Sequence, residues 1–147
     1  MNLESKLIIL ALLLALATLG GLVWRARTGL AKKVASGEVI DLNEIAAIKD
    51  GKPVTGFGKK VTFLQFSSEM CSQCVQTARL FHELESQDSD VLHVEVDVTH
   101  RLDLAKKFNI LQTPTTLVLD KNGRITSRIG GAAKPQTIKD ELGSFHI

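Results

Sequence analysis

The chain has no tyrosine, one tryptophan and six phenylalanines among 147 residues. So few rings leave little for stacking the bases of a single strand. Only two cysteines exclude a disulfide-dense scaffold, and three prolines exclude a collagen-like or proline-rich chain. Net charge is scarce as well. The 18 Lys and Arg against 16 Asp and Glu leave +2, short of the clustered basic face that a nucleic-acid binder presents. No nucleic-acid partner is expected, and the length is that of one domain. There is no internal repeat and no low-complexity tract.

What is present begins with an uncharged run, Leu7 to Trp24 (LIILALLLALATLGGLVW). As a helix it would measure about 27 Å, roughly the hydrocarbon thickness of a bilayer. Trp24 closes it where an indole prefers the interface. A single transmembrane helix over 7–24, after a tail of residues 1–6, is the expectation. A cleaved signal peptide is the alternative, since Ala15-Leu16-Ala17 resembles a small-x-small cleavage site, although the run continues beyond it. A buried core helix fits poorly, because every face is apolar. Arg25, Arg27, Lys32 and Lys33 follow the span, whereas only Lys6 precedes it. That bias places the following domain on the cytoplasmic face of the cell membrane, the extracytoplasmic face being the alternative.

Residues 25–37 (RARTGLAKKVASG) have no apolar period and read as a basic juxtamembrane linker. Residues 38–147 carry 13 Lys and Arg against 15 Asp and Glu. The basicity therefore belongs to the anchor, and 110 residues suffice for one core. Their pattern alternates. A short strand over 38–42 precedes a short helix over 43–48 and a Gly-containing loop over 50–60. Val61–Phe66 is a buried strand by its β-branched and aromatic content. The three- and four-residue steps of Val75, Ala78, Phe81 and Leu84 predict a helix over 72–86. A strand over 91–96 and a helix over 101–108 follow. Thr115–Leu119 and Arg124–Ile129 flank a turn at Asp120-Lys121-Asn122-Gly123 as a hairpin, and a helix closes the chain over 135–142. The order implies an α/β fold, a mixed sheet with helices on its faces.

Cys71-Ser72-Gln73-Cys74 stands directly after the buried strand and opens the next helix. A cysteine at a helix N-terminus faces unpaired backbone N–H groups and the positive end of the helix dipole, and both favour thiolate. Cys74, one turn behind, is within reach of its sulfur. Together they suit thiol–disulfide exchange, with Cys71 attacking and Cys74 resolving. Three plainer readings stand beside this one. A structural disulfide closing so short a loop would stabilise little. Half a zinc site would need two further ligands, and His82, His93, His100 and His146 lack the paired spacing. An inert buried pair is the third. Forty residues on, Thr113-Pro114 precedes the strand Thr115–Leu119. Proline fits there because it cannot donate within a ladder. Either peptide isomer is open at this point, trans being the commoner.

Taken together, these residues resemble the thioredoxin family. The likeness runs from about Glu38 to Phe145. It rests on the strand ending in Phe66, the Cys71–Cys74 helix opening, and Leu104-Ala105-Lys106-Lys107-Phe108 before Thr113-Pro114-Thr115. Asn122-Gly123-Arg124 and Gly130-Gly131-Ala132 extend it. The resemblance implies a thioredoxin fold with Cys71 as exposed nucleophile and Cys74 as resolving thiol. It implies a cis Pro114 and a substrate segment paired along Thr113 by strand addition. The chain departs from the family at Met70-Cys71-Ser72-Gln73-Cys74, where Trp-Cys-Gly-Pro-Cys is usual. It departs again at Gln65, where a buried Asp is common. An amide cannot accept the Cys74 proton, so Glu69 and His93 become the candidates for proton transfer. The expected protein is a monomeric, membrane-tethered thiol–disulfide oxidoreductase. It would carry no metal and no cofactor beyond its own disulfide. Its partners would be protein thiol or disulfide substrates and an upstream electron donor or acceptor. A redox-sensing assembly module and a thiol-based metal chaperone are the competing functions.

Overall fold

The structure is a computed structural model and describes residues 2–35 and 37–145. Met1 of the expected tail, Ser36 of the expected linker and the last two residues of the expected domain lie outside the described residues.

Helix α1 spans Leu3–Arg27 and buries none of its residues. It is longer than the uncharged run because Leu3–Lys6 and Arg25–Arg27 continue it at both ends. By length and composition it can cross a membrane, a test that a signal sequence near the N-terminus also passes. The segment 25–37, expected as a basic juxtamembrane linker, contains strand β1, Ala31–Lys33. The expected strand over 38–42 shrinks to one bridge between Val39 and Arg124. Helix α2, Leu42–Ile45, is capped by the Asp41 carboxylate, which accepts from the Asn43 N–H. The loop expected over 50–60 contains half of a small hairpin, β2 (Ile48–Lys49) against β3 (Lys52–Pro53).

The remaining elements follow the sequence pattern closely. They are β4 (Val61–Ser67), α3 (Ser72–Gln87), β5 (Val91–Asp97), α4 (Leu102–Lys107), β6 (Thr115–Leu119), β7 (Ile125–Gly130) and α5 (Pro135–Gly143). The main sheet runs β1-β7-β6-β4-β5. Only β4 and β5 are parallel, joined through α3 as a crossover; the other pairs are antiparallel. Strand β4 lies between β6 and β5 and is buried throughout. Its side chains alternate between faces. Val61 and Phe63 enter a core with Phe81, Val91, Val118, Ile129 and Ile138. Leu64 and Phe66 enter the opposite core with Val94, Val96, Leu104, Phe108 and Leu117. Phe63 stacks on Phe81 of α3 with centroids 4.5 Å apart. Burying such a ring is worth about 1.5–3 kcal/mol, and this contact fixes α3 over the sheet. Gln65 shares the Phe63 face and therefore points at the underside of α3.

Candidate active site

Cys71 is the N-cap of α3, and its Sγ accepts the Cys74 N–H at 3.1 Å. It therefore stands among the free N–H groups and the positive dipole end of a 16-residue helix whose first turn carries no acidic residue. Cys74, one turn on, is 2% exposed. The two sulfurs are bonded, with Cα atoms 5.2 Å apart. Only the Cys71 side of the pair is open to a partner, since Cys71 is half-buried and Cys74 is buried.

The loop before the pair is pinned at Ser67, Ser68 and Glu69. The Ser67 carbonyl accepts the Val98 N–H at 2.9 Å, and the Ser68 and Thr113 hydroxyls bond at 2.7 Å. The Glu69 N–H donates to Thr99 Oγ1 at 2.9 Å. Met70 follows with φ +58° and its side chain fully in solvent. Thr113 is thus tied to the cysteine loop by its hydroxyl, and the Thr113–Pro114 bond is cis. The Pro114 carbonyl accepts from Gly131 N–H at 2.8 Å, which joins this turn to the end of β7.

Behind the disulfide lies a buried polar group of the sheet. Gln65 is wholly inaccessible. Its Nε2 donates to the Cys74 carbonyl at 2.9 Å and to Ser67 Oγ at 3.1 Å. Its Oε1 meets His93 Nε2 at 3.1 Å. With both amide hydrogens spent, Oε1 accepts, so His93 Nε2 carries the hydrogen. Ser67 Oγ–H in turn donates to the exposed carboxylate of Glu95, the register partner of Gln65. Burial pushes the His93 imidazole down to about 4, assisted by the Lys49 cation. The ring is therefore neutral at neutral pH, as a buried donor to an amide should be. Lys49 donates to the His93 carbonyl at 2.8 Å and pairs with Glu85 at 2.6 Å. Burial pushes the Glu85 carboxyl up, but its hydrogen bonds from Lys49 and from the His93 N–H leave it below its ordinary value.

The two proton-transfer candidates separate here. His93 reaches the cysteine pair through Gln65, which touches the Cys74 backbone rather than its sulfur. Glu69 is exposed, and the bond it makes here is through its backbone N–H. Ser67, Ser68 and Glu95 were not singled out from the sequence. The signal available was the parallel register, which sets Gln65 beside Glu95 once β4 and β5 are paired. Among the described residues no group of three His, Cys, Asp or Glu side chains could hold a metal ion.

A family model described as thioredoxin matches residues 52–144. Thioredoxin H3 of Arabidopsis thaliana is 29% identical over 104 residues, covering 71% of this chain and 87% of its own. Thioredoxin H2 of the same plant is 35% identical over 80 residues, 54% of this chain and 59% of the relative. Thioredoxin H5 of Oryza sativa subsp. japonica is 33% identical, and the match spans 53% of it. Against some relatives the likeness thus spans little more than half their length. Among solved structures, thioredoxin NaTrxh from Nicotiana alata superposes with a TM-score of 0.51 at 25% identity, over 60% of this chain and 76% of that one. Mitochondrial thioredoxin 3 of Saccharomyces cerevisiae, in its oxidised form, reaches 0.53 over 71% and 86%, and at 21% identity it speaks for the fold alone. A bonded cysteine pair at the head of α3, the cis proline turn tied to its loop, and a family match over most of the globular part place this chain in the thioredoxin family.

Proposed function

We propose that the chain is a membrane-tethered oxidoreductase that exchanges disulfides with protein substrates through Cys71 and Cys74. The observation that carries the reading is the unequal exposure of a bonded pair whose outer sulfur caps a helix. In the reducing direction the Cys71 thiolate attacks a substrate disulfide. One substrate sulfur leaves as thiolate, and a mixed disulfide forms. Cys74 then loses its proton and attacks Cys71 Sγ. The second substrate thiolate leaves, the Cys71–Cys74 bond forms, and the two released thiolates take up protons. Two electrons pass from the cysteine pair to the substrate, and an upstream donor must return them. Thr113, held by Ser68, would pair with the extended substrate segment.

Helix α1 would span the membrane once, with the domain on the cytoplasmic face. That compartment keeps thiols reduced, so exchange would run toward substrate reduction. Two experiments test the reading. Insulin disulfides should be reduced by the full chain and not by Cys71→Ser, while Cys74→Ser should accumulate mixed disulfides on Cys71. Trapping by Cys71→Ser instead would reverse the two roles. A membrane-impermeant maleimide applied to intact cells after reduction should leave Cys71 unlabelled; labelling would move the domain outside.

A further inference from the structure

The way α1 enters the domain sets which end of the domain faces the membrane. Only Thr28, Gly29 and Leu30 separate Arg27 of α1 from Ala31 of β1, a reach of at most about 14 Å. That junction is bonded rather than loose. The Gly29 N–H donates to the Gly130 carbonyl at 2.8 Å, and Lys134 Nζ donates to the Ala26 carbonyl at 3.1 Å. Gly29 also lies hard against the Ala132 carbonyl oxygen, which any Cβ there would meet at 2.2 Å, so only glycine allows this close approach.

Gly130 is where the redox end of the sheet begins. It pairs with Thr115, and its neighbour Gly131 donates to the Pro114 carbonyl. With β7 as the single strand between β1 and β6, the membrane exit and the cis proline stand about two strand spacings apart, roughly 10 Å. The turn leading into Pro114 lies still closer to the span. A cleft of about 570 Å³ is walled on one side by Gly20, Val23 and Trp24 of α1 and on the other by Leu111 and Gln112. Leu111 is 86% exposed and Met70, beside Cys71, is fully exposed. Leu111 shares that cleft with Trp24, so an interface at the level of the indole would cover it. Arg25, Arg27 and Lys32 crowd the same junction, and cations there are drawn to anionic headgroups.

We infer that the redox end of the domain faces the bilayer, and that its substrates are disulfides of membrane-integrated proteins lying at the membrane surface. The inference rests on the membrane-tethered reading above and narrows its substrate class. A long flexible linker would let the domain turn over and sample the aqueous phase. A three-residue connection anchored at Gly29 and Ala26 does not.

The test reconstitutes the full chain in phosphatidylcholine vesicles with about one fifth phosphatidylglycerol. Two single-span peptides carry the same disulfide loop. In one the loop follows the span directly. In the other it stands on a Gly/Ser spacer of about 30 residues, roughly 30 Å away on average. A soluble copy of the loop is the reference. The proximal loop should be reduced at least about tenfold faster than the distal one, by the higher effective concentration. A similar spacer inserted after Arg27 should erase the preference while leaving reduction of the soluble loop unchanged. Equal rates for the two peptides, with the soluble loop reduced, would overturn the inference and leave the oxidoreductase reading standing. Failure to reduce any loop would overturn both. Failure of the chain to float with the vesicles would remove the tether and the inference with it.

Discussion

Replacing Gln65 with leucine is the sharpest structural perturbation of the site. The side chain is fully buried and makes three hydrogen bonds, to the Cys74 carbonyl, Ser67 Oγ and His93 Nε2. Leucine fills a similar volume, so little cavity forms. Ser67 retains Glu95 as partner. The Cys74 carbonyl loses this contact, and the His93 ring N–H is stranded in a buried site. Each stranded group costs about 1–3 kcal/mol, and the added apolar burial offsets about 1 kcal/mol. The net loss should be about 1–5 kcal/mol. For a domain of this size that lowers Tm by roughly 4–20 °C, at about 4 °C per kcal/mol. Urea unfolding of the oxidised wild type and variant in the same detergent measures it, with an unchanged m-value as the check on two-state behaviour. A loss below about 0.5 kcal/mol would mean that the network does not hold the disulfide's underside, and the reasoning fails.

Other consequences can be measured independently. His93 titrates near 4 when folded against 6.5 ordinarily. The unfolded chain then binds the extra proton first, so stability is flat above pH 6.5 and falls as pH drops toward 4. The drop is about 3 kcal/mol in all, at 1.36 kcal/mol per unit. Unfolding of His93→Gln across that window should lose this slope, and an unchanged slope would reject the assignment. Phe81→Ala empties the ring position stacked on Phe63 and should cost about 3–5 kcal/mol; a denaturant midpoint within error of wild type would contradict the packing. Gln65→Asp places an ionisable carboxyl, raised by burial, beside the resolving cysteine. Stopped-flow decay of the mixed disulfide should then show a second titration beside that of the Cys74 thiol, and identical profiles would show that residue 65 has no bearing on resolution.

Much of this site could be read in the sequence, for reasons that are local. A cysteine at a strand-to-helix junction acquires its electrostatics from position alone, and the apolar steps of Val75, Ala78, Phe81 and Leu84 describe α3 without help. Strand β1 could not be read so. Ala31-Lys32-Lys33 has no apolar alternation, and only pairing with Ile129, Arg128 and Ser127 makes it a strand. Its basic composition pointed to a linker, because edge strands and juxtamembrane segments both favour lysine. The hairpin at Ile48–Pro53 was hidden by Gly51, which reads as a loop residue and here serves the turn at φ +74°. The partners of Gln65 are non-local for the same reason. His93 and Glu95 lie 28 and 30 residues away in sequence, and only the β4–β5 register delivers them.

The helix that Cys71 caps is the proposed source of its reactivity. Alkylation of reduced Cys74→Ser by iodoacetamide, followed across pH, isolates that one thiol. A midpoint clearly below the free-thiol value of about 8.5 is the predicted result. A midpoint at or above it would show that the helix terminus does not favour the thiolate, and the nucleophile would have to be sought elsewhere.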